Sequence, residues 1–328
     1  MSIVVVFTGG TISMQVDAAQ GGNVPALDGA AILARTRGLD EIADVRAIDY
    51  GLIPASHFRF AQLFDIAALL RDALASPDIH GAVVVQGTDT IEETSFFYDL
   101  VVGGPKPIVV TGAMRSASED GYDGPANLRD AVRVAAAPSM RQAGCVVVMT
   151  GWIDAADDVT KTHATSPTTF RSLNFGPLGE VTGGRLILGR RRAGRRVLEG
   201  ARAAAEPVPL LTAVVSMDAA ILDAVVAAGA RGVVVEATGS GNTSPELLAA
   251  ARRAIEAGVP VVEATRCAAG RVGTAYAFPG GGAQWARTGA FQAGYLSGPK
   301  ARVALAVGLG AGMGMDALRD LFADPNAG

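Results

Sequence analysis

Five short runs of β-branched and other apolar residues recur through the first half of the chain: Ile3–Phe7, Val45–Tyr50, Ala82–Gln86, Ile108–Thr111 and Cys145–Met149. They are nearly unbroken rather than alternating, the pattern of strands covered on both faces of a parallel sheet. The segments between them have helical spacing. Leu63, Ile66, Ala67, Leu70 and Leu74 fall on one face of a helix over Phe60–Ala75. Thr90 and Glu93 fit a capping box opening a helix through Val101, and Pro125 suits the first turn of a helix through Ala137. Strand–helix alternation with short connections predicts a doubly wound, mostly parallel α/β sheet.

A basic, glycine-punctuated stretch, Gly189–Arg196, leads through Pro207 and Pro209 into a second alternating region. Its expected strands are Thr212–Ser216, Gly232–Ala237, Pro260–Ala264 and Arg302–Val307, with helices over Asp218–Ala228, Pro245–Ala257 and Met315–Phe322. The expected organisation is therefore a larger N-terminal α/β domain over 1–190, a solvated linker over 191–209, and a smaller parallel α/β domain over 210–328. A length of 328 residues suits two domains. Gly308-Leu-Gly-Ala-Gly-Met-Gly314 resembles a dinucleotide loop, but too few residues follow for a βαβ unit of about 30. It reads as a packing turn before a final helix.

Composition narrows the function classes. A net charge of −4 supplies no global basic field for nucleic acid or anionic lipid. The two cysteines, Cys145 and Cys267, are too far apart for a metal or redox motif and read as buried thiols of a reducing compartment. No apolar run reaches membrane-spanning length, and the first residues have no basic flank of a signal peptide, so the expectation is a soluble cytoplasmic protein.

In open parallel sheets ligands bind at the carboxyl ends of strands. The residues there are Thr8-Gly-Gly-Thr-Ile12, Gly87-Thr-Asp-Thr-Ile-Glu-Glu-Thr94, Thr111-Gly-Ala-Met-Arg115 and, after a loop, Asp157-Asp-Val-Thr-Lys-Thr162. A threonine hydroxyl is a weak nucleophile and needs a base, which a desolvated lysine can be if its pKa falls far enough. Asp89 could orient Lys161, and the backbone N–H groups of Gly9–Gly10 and Gly87–Thr88 could stabilise an oxyanion. One strand-tip threonine alone would read as a helix cap. Four such tips beside a lysine point to a site.

These strings, with Gln86 before the second, resemble the bacterial-type L-asparaginases. So do Asp123-Gly-Pro-Ala-Asn-Leu128, Phe175-Gly-Pro-Leu-Gly179, Gly239-Ser-Gly-Asn242 and Gly298-Pro-Lys-Ala-Arg302. The resemblance runs over nearly the full chain. It implies that Thr8 attacks the side-chain amide of L-asparagine, forming an acyl-enzyme and releasing ammonia. It implies a Thr88–Lys161–Asp89 triad, with Asp89 also binding the substrate α-amino group. Ser56 would bind the α-carboxylate, with His57 beside it where a glutamine is common, and Ala113 would contact the amide through its backbone. Asn242 would be lent to a neighbouring subunit's site in a homodimer or homotetramer. No metal or organic cofactor is implied.

The chain departs from the family in two further ways. The segment Ser13–Leu27, where a lid tyrosine is expected, has no tyrosine, although Gly21, Gly22 and Pro25 suit a hinged loop. Between Glu263 and Asp316 there is no Asp or Glu, so the cross-subunit glutamate is absent. Weak glutaminase activity and a shifted preference are the expected consequences. Rival readings are an amino-acid-binding sensor with little turnover, a hydrolase of another small amide, and a Ser–His–Asp hydrolase built on Ser56 and His57, for which no Gly-x-Ser-x-Gly elbow exists. His163, close to Lys161, reads as a cleft residue or a hydrogen-bonded structural histidine.

Overall fold

Ile3, Val5, Val6 and Phe7 keep no more than 2% of their surface exposed, which places their strand in the interior of a sheet. The computed structural model describes residues 1–323. It divides into two units, Met1–Glu199 and Gly200 onward. The first contains, in chain order, β1 (Ser2–Phe7), β2 (Met14–Asp17), β3 (Gly22–Pro25), α1 (Gly29–Arg35), β4 (Asp44–Asp49), α2 (Phe60–Ala75), β5 (Ile79–Val85), α3 (Ile91–Val101), β6 (Ile108–Thr111) and α4 (Gly124–Ala136). Then follow β7 (Cys145–Met149), β8 (Trp152–Ala155), β9 (Val159–Lys161), β10 (Phe170–Ser172), β11 (Gly179–Thr182) and β12 (Arg185–Leu188).

Eight of these strands form one sheet in the order β12-β11-β8-β7-β6-β5-β1-β4. From β4 to β7 the pairs are parallel, and β8, β11 and β12 add antiparallel at the other end. Val83, Val109 and Val146 pack with Leu128, Val132 and Ala135 of α4 in one core layer. On α2 and α3, Phe64 meets Phe97 edge-on at 4.9 Å between ring centroids. The two-domain α/β class expected from the sequence is the one observed, with a mixed rather than purely parallel large sheet.

Three expectations for this unit fail for physical reasons. The strand expected over Val45–Tyr50 is β4, but it lies at the sheet edge with Asp44, Arg46 and Ala47 exposed, and none of its residues is fully buried. The capping box does not form, because the Thr90 hydroxyl donates to the Ala55 carbonyl at 3.2 Å instead. The arginine stretch is not a solvated linker throughout. Arg192 donates two hydrogen bonds to Asp99 at 3.0 and 2.9 Å and one to Asp157 at 2.8 Å, and its side chain is 8% exposed. Arg195 joins the same buried carboxylate at 3.4 Å.

The second unit contains β13 (Leu210–Thr212), α5 (Ala220–Ala227), β14 (Val233–Ala237), α6 (Pro245–Glu256), β15 (Val261–Thr265), α7 (Gly282–Trp285), β16 (Phe291–Gln292), α8 (Gly298–Gly310) and α9 (Met315–Phe322). Its sheet, β13-β14-β15-β16, is entirely parallel. Val233, Val235 and Val261 form a core with Leu247, Ala251 and Trp285.

Here Arg302–Val307 is not a strand but the middle of α8. Val303 through Gly308 are all buried, and an unbroken apolar run is equally the pattern of a helix covered on every side. Pro299 in the first turn suits the helix start. The fourth strand is the two-residue β16. The strand expected over Thr212–Ser216 is displaced to Leu210–Thr212, because Val215 is 92% exposed and Ser216 has φ +63°. Cys145 is buried as expected, whereas Cys267 is exposed. Gly308–Gly310 ends α8 and a turn leads into α9, as expected of a packing turn. Among the described residues no helix is long and apolar enough to cross a membrane.

Candidate active site

β1, β5 and β6 end side by side, with Phe7 in register with Val85 and Val85 with Thr111. Their carboxyl ends carry Thr8, Gln86–Asp89 and Gly112–Ala113 along one edge of the sheet. The strand order reverses there, since β1 is flanked by β4 on one side and β5 on the other, a position where open α/β sheets bind ligands. Glycine makes the close approach possible. A Cβ on Gly10, whose φ is +93°, would fall 2.2 Å from the Gly87 nitrogen, and one on Gly112 would fall 2.4 Å from the Gln86 carbonyl.

Thr8 is fully buried. Its backbone N–H and its hydroxyl both donate to the Val85 carbonyl, at 2.9 and 3.0 Å, and its own carbonyl accepts from Ile53 at 2.7 Å. Thr88 opens a short 3-10 turn that also contains Asp89. Lys161, the last residue of β9, donates from Nζ to Thr88 Oγ1 at 3.0 Å and to Asp89 Oδ1 at 2.8 Å. The lysine side chain is 13% exposed and the aspartate 69%. The amine is thus enclosed while its carboxylate stands in the open. Such a pair contributes below about 1 kcal/mol to stability, so its effect is to fix the position of Nζ.

Ser56 and His57 lie in a second 3-10 turn, Ala55–His57, and both are exposed. That turn rests on the Thr88–Thr90 turn through the Thr90–Ala55 hydrogen bond, and a Cβ on Gly87 would meet Ala55 Cβ at 2.9 Å. Ala113 is fully buried after β6, and a Cβ on the preceding Gly112 would come within 3.3 Å of Thr88 Cγ2. Thr88, Asp89 and Lys161 are therefore joined directly, with Thr8, Ser56, His57 and Ala113 on adjoining tips. Asn242 belongs to the second unit. It ends the turn after β14, whose closure comes from the Thr238 backbone N–H and hydroxyl, both donating to the Asn242 carbonyl at 2.8 Å.

Several supporting residues carry roles that the sequence reading does not assign. Glu92 on α3 accepts the Lys161 backbone N–H at 3.0 Å. Asp123 accepts from the Met114 and Arg115 amides and from Asn127 Nδ2, and that same Nδ2 donates to the Gly112 carbonyl at 3.0 Å. The Asp123–Leu128 string thus holds the turn after β6, and its i,i+4 spacing on one helix face is the signal. Asp158 likewise ties the β8–β9 loop to Asn174 and Phe175. His163 Nδ1 accepts two amides, from Thr165 and Ser166, which gives it a structural role.

The expected hinged loop is an antiparallel hairpin of β2 and β3, tied to the loop between β6 and α4 by Val16 N–H to Ser118 Oγ at 3.0 Å. Tyr122 approaches its base but does not stand in for a lid tyrosine. Its hydroxyl is committed to the Ile12 carbonyl at 2.7 Å, and burial pushes its pKa up to about 12. Among the described residues no group of three or more His, Cys, Asp or Glu side chains is arranged to hold a metal ion.

A family model of the asparaginase N-terminal domain matches residues 2–193, and one of the glutaminase/asparaginase C-terminal domain matches residues 207–322. The L-asparaginase of Bacillus licheniformis is 30% identical over 308 residues, which cover 93% of this chain and 94% of that protein. A Deinococcus radiodurans protein named "Probable L-asparaginase" is 34% identical, covering 98% of this chain and 96% of its own length. A Haemophilus influenzae protein named "Probable L-asparaginase periplasmic" is 34% identical over 70% of this chain and 66% of its own. With both domain models matched in chain order and two relatives aligned over nearly their full length, the chain belongs to the asparaginase family.

Proposed function

We propose that this protein is an amidohydrolase that converts L-asparagine to L-aspartate and ammonia through an acyl-enzyme on Thr8. The observation that carries the reading is the Thr88–Lys161–Asp89 chain of hydrogen bonds beside the Thr8 strand tip. Pure binding has no need of a nucleophile next to a lysine-coupled hydroxyl. Thr8 Oγ1 first leaves its bond to the Val85 carbonyl and attacks the side-chain amide carbon. Its proton passes to the Thr88–Lys161 pair and on to the amide nitrogen, the C–N bond breaks and ammonia departs. Water then cleaves the Thr8 ester by the same route, restoring the hydroxyl and releasing aspartate.

In this reading Asp89 and Ser56 hold the substrate's α-amino and α-carboxylate groups, with His57 beside Ser56 and the Ala113 backbone against the amide. Asn242 is lent to the site of a neighbouring subunit in a homodimer or homotetramer. The absent Asp and Glu between Glu263 and Asp316 favour weak glutaminase activity. A cytoplasmic location is part of the reading, supported by two unpaired cysteines. The test is ammonia release by purified protein from L-Asn, D-Asn, L-Gln and small amides, with Thr8→Ala in parallel. Release from L-Asn that vanishes in Thr8→Ala is expected. Near-wild-type release by Thr8→Ala would overturn the nucleophile, and a glutamine kcat/KM equal to that for asparagine would overturn the selectivity.

A further inference from the structure

Glu263 sits in the middle of β15 with none of its surface exposed, in a strand otherwise made of Val261, Val262, Ala264 and Thr265. Its register partner on β14 is Val235, whose side chain belongs to the core that α6 and Trp285 cover. A carboxyl in such surroundings is normally fully hydrogen-bonded. This one is not. Oε2 accepts a long hydrogen bond from Gln292 Nε2 at 3.4 Å, and Oε1 has no partner among the described residues.

What Oε1 faces is the backbone of Gly241. That residue has φ +112°, and a Cβ built on it would fall 2.5 Å from Oε1. The Thr238–Asn242 turn therefore lies directly on the carboxyl. Two further bonds clamp the turn from other segments, Thr265 Oγ1 to the Gly239 carbonyl at 2.5 Å and the Gly273 amide to the Ser240 carbonyl at 2.9 Å. Asn242 Oδ1 is also buried without a partner among the described residues. A turn that carries an unpaired amide oxygen and rests on a carboxyl with one unpaired oxygen points to a role beyond the turn's own stability.

We propose that Glu263 is a positioning residue for Asn242: its buried carboxyl, packed under Gly241, sets the turn that presents the Asn242 side chain. The inference rests on the reading of Asn242 as a substrate-site residue. The carboxyl can do this while neutral, because a neutral group can be buried against backbone, whereas a carboxylate without a donor cannot. Burial raises its pKa to about 8, against the smaller opposing effect of the Gln292 hydrogen bond, so the group is protonated at neutral pH.

Few other groups bear on it. α6 turns Leu247, Ala250, Ala251 and Ala254 inward, and α7 contributes Trp285, none of them ionisable. β16 contributes the neutral Gln292, and the loop from β15 contributes Val272, next to Arg271, whose guanidinium lies over the Tyr295 ring. Glu236 points to the opposite face of the sheet, towards Gly298 at the start of α8, the helix that also holds the buried Lys300.

The test is hydrogen exchange of the 238–243 segment between pH 7 and 9.5, corrected for intrinsic rates, beside the KM and kcat for L-asparagine. In the wild-type protein, exchange of that segment should rise about tenfold across this range while β14 stays protected. KM should rise with it, and kcat less. Glu263→Gln, which cannot ionise, should abolish both pH effects, and Glu263→Ala should lose protection already at pH 7. Flat wild-type exchange, or a Glu263→Gln protein that accelerates like wild type, would overturn the proposal. Failure to release ammonia from any amide would sink the hydrolase reading instead, and the exchange comparison would still decide the role of Glu263.

Discussion

Gly10 and Gly87 touch backbone to backbone, so closely that a methyl group on Gly10 would fall 2.2 Å from the Gly87 nitrogen and 2.3 Å from its Cα. The contact joins the first two strand tips of the candidate site, and backbone cannot step aside as a side chain can. Gly10→Ala should therefore destabilise the protein by about 2–4 kcal/mol and remove activity even in the folded fraction. Urea midpoints beside ammonia release per folded molecule measure both. A Gly10→Ala protein with normal turnover would show that the two tips need not meet.

Lys161 separates catalysis from stability. Its ion pair with Asp89 is open to solvent on the carboxylate side, so Lys161→Met should cost below about 1 kcal/mol of folding free energy. Its loss from Thr88 should lower kcat by about 10²–10⁴-fold, with KM changed much less. A kcat within a few-fold of wild type would remove the lysine from the proton route.

Asp99 behaves in the opposite way. It is 3% exposed, accepts the Cys145 amide at 2.8 Å and neutralises Arg192 and Arg195. Asp99→Asn leaves two buried guanidinium groups short of their counter-charge, which should cost about 3–5 kcal/mol. For a unit of this size that lowers Tm by about 10 °C in calorimetry. A change under about 1 kcal/mol would mean that Asp157 alone suffices for Arg192.

Asp154 gives the first unit a pH dependence. It is 2% exposed, and burial raises its pKa from 3.8 to about 6 despite a 2.7 Å hydrogen bond from Ser172. The folded state therefore holds this proton more tightly than the unfolded chain. The resulting stabilisation is complete below about pH 4 and is lost as pH rises through 6. Relative to Asp154→Asn, the wild type should lose about 2 kcal/mol between pH 4 and 7. Parallel slopes of unfolding free energy for the two proteins would contradict this.

The strand-tip strings were legible in the sequence because each joins an unbroken apolar run to glycines and hydroxyls at the place where a parallel strand must end. What stayed hidden depends on neighbours distant in the chain. Thr90 has the spacing of a cap, but a carbonyl 35 residues away takes its hydroxyl. Arg192 looks solvated until the fold brings Asp99 to it across 93 residues. The helix over Gly298–Gly310 and a buried strand share the same apolar signature, and only the proline in its first turn marks the difference. The strand over Pro260–Ala264 was legible, but the full burial of Glu263 within it was not, since the Gly241 turn and Gln292 reach it from other segments.

The exposed character of β4 bears on how the molecule survives in a crowded solution. An edge strand offers unpaired backbone groups to any passing chain, and a flat apolar edge invites sheet-to-sheet growth. β4 displays Asp44 and Arg46 along that edge, where like molecules approaching in register would bring charge against charge. In a chain with only 18% charged residues, these two stand on an edge strand that would otherwise offer its backbone to a neighbour.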